Sequence, residues 1–390
     1  MRCRLMGLLS RWIGIARSLR LRNEVILGQD GPTVAIDRLS SAAHQHFVIG
    51  LVLFLSAITA GTGLCDANDP FTIVIIPDTQ IYCLNDPAWR NSSRKEIFLQ
   101  MTAWIASNVR RENIVFALHM GDVVTTHDSP AEWAIADQAM SQLDGKVPYC
   151  FTVGNHDLAI GGDNNRDSSY FNKTFPYQRY ENEPWFGGRL ADDGFLPHDN
   201  YDNCYHQFSA GGMDFLIVSL EVGPTDKMLA WADSVIARHP ARHVILITHS
   251  YMDGHDQRDP PGGYGYLPPG EANTGEEIWQ KLVRKHEQIS FVLNGHLANR
   301  ENHRGFLTSR GDQGNVVYQL LSGEDYDGWL RLLVFEPDKK RVVVRSYSPW
   351  RPADASQQFK QYPFDLPGFN PDEFHQYELP YCMAPTSSPR

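Results

Sequence analysis

Five short stretches of this chain end in side chains that handle metals or protons: Asp78-Thr79-Gln80, Gly121-Asp122, Gly154-Asn155-His156-Asp157, Thr248-His249 and Gly295-His296. Each follows an apolar run. Glycine stands directly before Asp122, Asn155 and His296, which lets the backbone turn sharply there. Singly each stretch is weak, because a strand-end aspartate often only caps a turn and a lone histidine is more often packed and hydrogen-bonded than a ligand. Together they offer carboxylates, imidazoles and amide oxygens, the donor types that hold divalent metal ions. Gly154-Asn155-His156-Asp157 is the most telling, with three such side chains in a row.

The elements that must position these groups are readable from periodicity. FTIVII (71–76), IVFALHM (114–120), VPYCFTV (147–153), FLIVSL (215–220), HVILITH (243–249) and ISFVLN (289–294) read as strands. Helical spacing puts Ile97, Met101, Trp104, Ile105 and Val109 on one face, and helices are expected over 131–143, near 227–238 and near 276–286. Strand and helix in alternation predict an α/β layered core, with ligands held beyond the carboxyl ends of the strands. Two stretches break the rhythm, 160–203 and 253–274, and loops this long are either covers over a site or unstructured. Tyr170, Tyr180 and Trp185 in the first are expected to pack it onto the core rather than to line a pocket. VVYQLLS, WLRLLVFEP and RVVVRSYSP predict further strands, with a hairpin turning around 337–340.

Charge and composition exclude some functions. The 390 residues carry a net charge of −11. Seven arginines against Glu24, Asp30 and Asp37 make residues 1–46 about +4 and leave the body near −15, with no basic stripe suited to nucleic acid. The basic head leads into the uncharged stretch Phe47–Leu64, then Cys65-Asp66-Ala67, the order of an export signal. An uncleaved anchor is the competing reading, since the stretch is long enough to span a bilayer; either places the body outside the cytoplasm. Without a CxxC spacing, a zinc knuckle is not expected. Cys150 reads as a buried thiol, and one disulfide among Cys83, Cys204 and Cys382 stays open. The chain has no G-x-S-x-G elbow and no P-loop, which argues against a serine hydrolase or an NTPase.

The ordered set D-x-Q, GD, GNHD, H, GH resembles the calcineurin-like metallophosphoesterases over roughly Phe71 to Pro349. The D-T-Q opening, LTSRGDQGNVVYQLL and GWLRLLVFEPD are similar to an exported bacterial branch of that superfamily. The resemblance implies two mixed β-sheets packed as a sandwich flanked by helices, with two divalent ions (Mn, Fe, Zn, Mg or Ca) at one edge. By the same resemblance Asp122 bridges both ions and Asn155, His249 and His296 complete the second ion's shell. Asp78 and Gln80 hold the first ion. His156 assists the leaving group and Asp157 orients His156.

The sequence departs from that pattern at the first ion. Gln80 stands where a histidine is usual, and Ala298 where a second histidine follows His296, so that shell is depleted unless His303 or Glu301 joins it. Thr125 replaces an acidic residue common in the GD block, with His127 and Asp128 as compensating candidates. Arg300 and Arg304, and Arg310 beyond them, are candidates for binding the phosphate. The expected organisation is a head and signal or anchor over 1–67, a catalytic domain over 68–350 and a Pro-rich extension over 351–390. The expected function is metal-dependent hydrolysis of phosphate esters, on a phosphorylated small molecule or protein, with a membrane met only through an uncleaved N-terminal segment. The alternatives are a diesterase, such as a cyclic-nucleotide type, or a catalytically weakened metal-binding scaffold.

Overall fold

The computed structural model describes residues 69–84, 94–159, 166–191, 200–262, 264, 267, 272–296, 304–323, 328–350, 368–369 and 376–381. All described residues fall within the unit Cys65–Arg390. The basic head, Phe47–Leu64, Cys382, Ala298, Arg300, Glu301 and His303 lie outside the described residues.

Two mixed β-sheets make the body, as the family resemblance implied. The first is built from β1 (Phe71–Ile76), β2 (Ile114–His119), β3 (Tyr149–Phe151), β11 (Leu330–Glu336) and β12 (Arg341–Ser348). The second is built from β4 (Phe186–Arg189), β5 (Cys204–Ala210), β6 (Met213–Leu220), β7 (His243–Thr248), β8 (Ile289–Asn294), β9 (Arg304–Arg310) and β10 (Val316–Ser322). In the first, β1, β2 and β3 run parallel, β11 pairs antiparallel with β1, and β12 pairs antiparallel with β11. In the second, β6, β7, β8 and β10 run parallel, with β5 and β9 antiparallel outside them.

Alternation along each strand explains the layers. Ile73 and Ile75 of β1 face the second sheet and share a core cluster with its Phe215, Ile245 and Phe291. Val74 and Ile76 face outward onto the helices α2 (Arg94–Asn108) and α3 (Pro130–Met140), which follow the short α1 (Gln80–Cys83). A strand covered on both faces needs no polar positions, which is why FTIVII is apolar throughout; each such side chain contributes about 1.5–3 kcal/mol on full burial. On the outer face of the second sheet, α5 (Asp226–Ala237) and α6 (Gly275–Lys281) cover Leu216, Val218, Leu246 and Val292. Among the described residues no helix is long and apolar enough to cross a membrane.

The insertion after β3 holds more structure than its composition suggested. It contains α4 (Ser169–Thr174) and β4. β4 carries glycines because the Tyr205 ring lies against it, and a Cβ at Gly187 would stand 2.2 Å from that ring. Tyr180 is buried, stacked on Tyr201 at 4.7 Å and edge-on to Tyr149 at 5.5 Å. These aromatics therefore pack the insertion onto the core. The sheet also does not end at residue 350: β13 (Gly368–Phe369) and β14 (Gln376–Pro380) both pair with β12, and Leu379 and Tyr381 enter the core between the sheets. Cys83, Cys150 and Cys204 are buried free thiols, so Cys83 and Cys204 are not bridged.

One buried histidine of β5, packed beneath this insertion, links the fold to pH. Nε2 of His206 lies 3.2 Å from the Tyr201 hydroxyl and 3.3 Å from Cys204 Sγ, and burial pushes its pKa from 6.5 down to about 3. The unfolded chain binds a proton here below pH 6.5 and the folded chain does not. Stability from His206 is therefore complete above pH 6.5 and is lost as pH falls toward 3, by about 1.4 kcal/mol per unit. Urea midpoints between pH 6 and 4 should fall more steeply for the wild type than for His206→Asn; parallel slopes would refute the assignment.

Candidate metal centre

The carboxyl ends of β1, β2, β3, β7 and β8 meet at one edge, three strands from the first sheet and two from the second. Behind β2, Gly121 (φ 87°) and Asp122 (φ 47°) take left-handed conformations that turn the Asp122 carboxylate inward. Gly154 allows the loop after β3 to close on it, since a Cβ there would lie 2.2 Å from Asp122 Oδ1. Oδ1 instead accepts the His156 amide at 2.8 Å, and Oδ2 lies 3.2 Å from His249 Nε2. Behind β8, His296 is also left-handed (φ 70°), and its amide donates to Asp78 Oδ2 at 3.0 Å.

His249 is the hub. Its Nδ1–H donates to the Met120 carbonyl at 2.7 Å, which turns Nε2 toward the edge. Around Nε2 stand Asp122 Oδ2 and Asn155 Oδ1, each at 3.2 Å, and His296 Nδ1 at 3.1 Å. Asp122, His249 and His296 bring ligating atoms within 4.8 Å of one another. Burial disfavours a charged His249, yet the neighbouring Asp122 outweighs it and the pKa rises to about 10. Burial and His249 push His296 down to about 3. Burial also opposes ionisation of Asp122, but His249 and His156 hold its carboxyl below the usual range.

Four electron-pair donors converging on one point repel unless a cation lies among them. Two imidazoles, a carboxylate and an amide oxygen are a donor set suited to zinc, iron or manganese. Two residues after Asp78, Gln80 Oε1 is buried without a hydrogen-bond partner, a condition that costs about 1–3 kcal/mol unless something positive faces it. Asp78 and Gln80 offer oxygen donors only, the type that suits a hard cation.

His156 stands beside this group. Its Nδ1 meets the Thr125 carbonyl at 2.9 Å. The expectation that Asp157 orients His156 is corrected by the geometry: Asp157 Oδ1 accepts the amides of Val123 at 2.8 Å and Val124 at 3.2 Å, and Oδ2 accepts that of Gly154 at 2.9 Å. It ties two loops together, and burial with the charge of Asp122 pushes its pKa up to about 7. Neither His127 nor Asp128 takes the place left by Thr125. The buried Glu132 of α3 instead holds this loop by accepting the amides of Thr125 and Thr126.

His119 was also not foreseen. It accepts the Gly121 amide at Nδ1 (3.2 Å) and so donates from Nε2 to the Thr79 hydroxyl (3.0 Å), which in turn donates to the Val123 carbonyl (3.1 Å). Burial pushes its pKa down to about 3, and the neutral ring braces the β1 and β2 loops. A histidine inside an apolar strand three residues before Asp122 was the available signal.

Arg304 opens β9 opposite Ser322 of β10, so β10 lies between it and β8, the strand that leads to His296. Arg310 is exposed at the far end of β9, donating to the Gly314 carbonyl. A cavity of about 400 Å³ lined by Lys146, Tyr149, Arg179 and Trp185 lies at the start of β3, the opposite end from His156.

Residues 71–300 match the Metallophos family, described as calcineurin-like phosphoesterase. The chain is 30% identical over 294 residues to "Uncharacterized protein YvnB" of Bacillus subtilis (strain 168), covering 73% of this chain and 20% of that protein. It therefore spans about a fifth of that relative's length. Among solved structures, purple acid phosphatase PPD1 of yellow lupin aligns with a TM-score of 0.44 and 14% identity, covering 72% of this chain and 52% of the other. GAP50, the anchor in the inner membrane complex of Plasmodium, aligns at 0.40 and 9%, covering 72% and 85%. TT1561 of Thermus thermophilus aligns at 0.38 and 10%, covering 72% and 100%.

Proposed function

The chain belongs to the calcineurin-like phosphoesterase family, and from that membership we propose that it is a metal-dependent hydrolase of phosphate esters acting outside the cytoplasm. The observation that carries the reading is the convergence of Asp122, Asn155 and His296 on His249 Nε2, with His156 alongside. The location rests on the basic head and the uncharged stretch Phe47–Leu64.

Asn155, His249 and His296 would hold one ion, Asp78 and Gln80 a second, and Asp122 would bridge them. Divalent ions bound there would supply charge against the phosphoryl oxygens and an acidified water as the nucleophile. His156 stays out of the ligand set. With Nδ1–H committed to Thr125, its Nε2 is the atom that can pass a proton to the leaving oxygen. The oxygen-only donors at Asp78 and Gln80 favour a hard ion, so manganese or magnesium is expected at that position.

The test is hydrolysis of 4-nitrophenyl phosphate and bis(4-nitrophenyl) phosphate by metal-stripped protein refilled one ion at a time. Manganese is expected to restore turnover more fully than zinc alone, and the ratio between the two esters distinguishes a monoesterase from a diesterase. One equivalent of tightly bound metal with no turnover of either ester would favour the scaffold alternative.

A further inference from the structure

The hydrogen bonds of α3 raise a question that helix capping does not answer. Ser129-Pro130-Ala131-Glu132 has the form of a capping box, and the Ser129 hydroxyl accepts the Glu132 amide. In such a box the glutamate would reach back to the Ser129 amide, but that amide donates to the Thr126 carbonyl instead. Glu132 is 5% exposed, and its Oε2 accepts two amides one residue apart, Thr125 at 2.8 Å and Thr126 at 3.0 Å.

The Thr125–Thr126 peptide makes this arrangement directional. In a trans peptide the carbonyl of one residue and the amide of the next point in opposite directions. Glu132 holds the Thr126 amide on one side, so the Thr125 carbonyl is aimed to the other, where it meets His156 Nδ1 at 2.9 Å. The Thr125 hydroxyl donates to the Gln80 carbonyl at 2.9 Å, which stops the loop from swivelling about this plane.

We propose that Glu132 is a positioning residue for His156, acting through the Thr125–Thr126 peptide. This rests on the phosphoester-hydrolase reading. In the step concerned, the water oxygen bonds to phosphorus as the bond from phosphorus to the leaving oxygen breaks. The leaving oxygen keeps the electron pair and takes the proton from His156 Nε2, and the proton shed by the water restores the imidazole. Glu132 touches neither substrate nor metal ligand; it sets the angle at which Nε2 meets the leaving oxygen.

The test compares two aryl esters on the metal-loaded full chain. The leaving oxygen of phenyl phosphate needs a proton, whereas that of 2,4-dinitrophenyl phosphate does not. Glu132→Ala is expected to lower kcat on phenyl phosphate by about 10- to 100-fold, the usual scale for a residue that orients an active group. Its KM, its metal content and its rate on the dinitrophenyl ester should stay near wild type. Glu132→Gln, whose amide oxygen can accept the same two N–H groups, should recover most of the rate. Equal losses on both esters, loss of metal, or a Gln variant as poor as the Ala variant would each overturn the proposal. A wild type inactive on both esters would instead sink the hydrolase reading itself, before any variant is compared.

Discussion

Asp122→Asn should cost about 1,000-fold or more in kcat/KM and release bound metal, while the fold survives. The magnitude follows from losing several kcal/mol of charge stabilisation at about 1.4 kcal/mol per tenfold in rate. The carboxylate reaches two partners at once, the His156 amide through Oδ1 and His249 Nε2 through Oδ2. Asparagine matches its shape and keeps the oxygen that accepts the amide, so the loop after β3 stays in place. What it removes is the negative charge in direct contact with the hub imidazole. Equilibrium dialysis followed by elemental analysis would read the metal, and far-ultraviolet circular dichroism the fold. An Asn variant that retained its full metal content would show that Asp122 is not a ligand.

His156→Ala should behave differently. The ligating atoms that lie within reach of one another belong to Asp122, His249 and His296, and His156 is turned to the Thr125 carbonyl. Metal content should therefore match the wild type, and kcat on an ester with a poor leaving group should fall by about 100- to 10,000-fold, the range of general acid–base catalysis. Loss of metal in this variant would make His156 a ligand and reassign the proton transfer.

Much of the fold was legible because the strands feeding the site are buried on both faces or alternate cleanly. FTIVII could be read as a strand without any neighbour in view, since β1 lies between helices and a second sheet. β4 was not legible: its Phe-Gly-Gly-Arg run has little strand propensity, and it forms because Tyr205 needs glycines beneath its ring. The segment 376–380 was hidden by its Pro-rich surroundings, and only the free edge of β12 shows why it pairs there.

At the site, the identity and order of the donor residues were determined by sequence alone, because each comes at the end of an apolar run and the chemistry of its side chain is intrinsic. Which atom faces the centre was decided only by tertiary structure. The Met120 carbonyl, from the other sheet, selects Nε2 of His249 as the inward nitrogen. Asp157 looked like the partner of His156 because it is adjacent in sequence, yet its oxygens meet the amides of Val123, Val124 and Gly154. Glu132, which does act on the peptide facing His156, lies 24 positions away on a helix. The reason is physical: a hydrogen bond is set by the direction of a backbone N–H or C=O, and that direction exists only once the two sheets have met at their common edge.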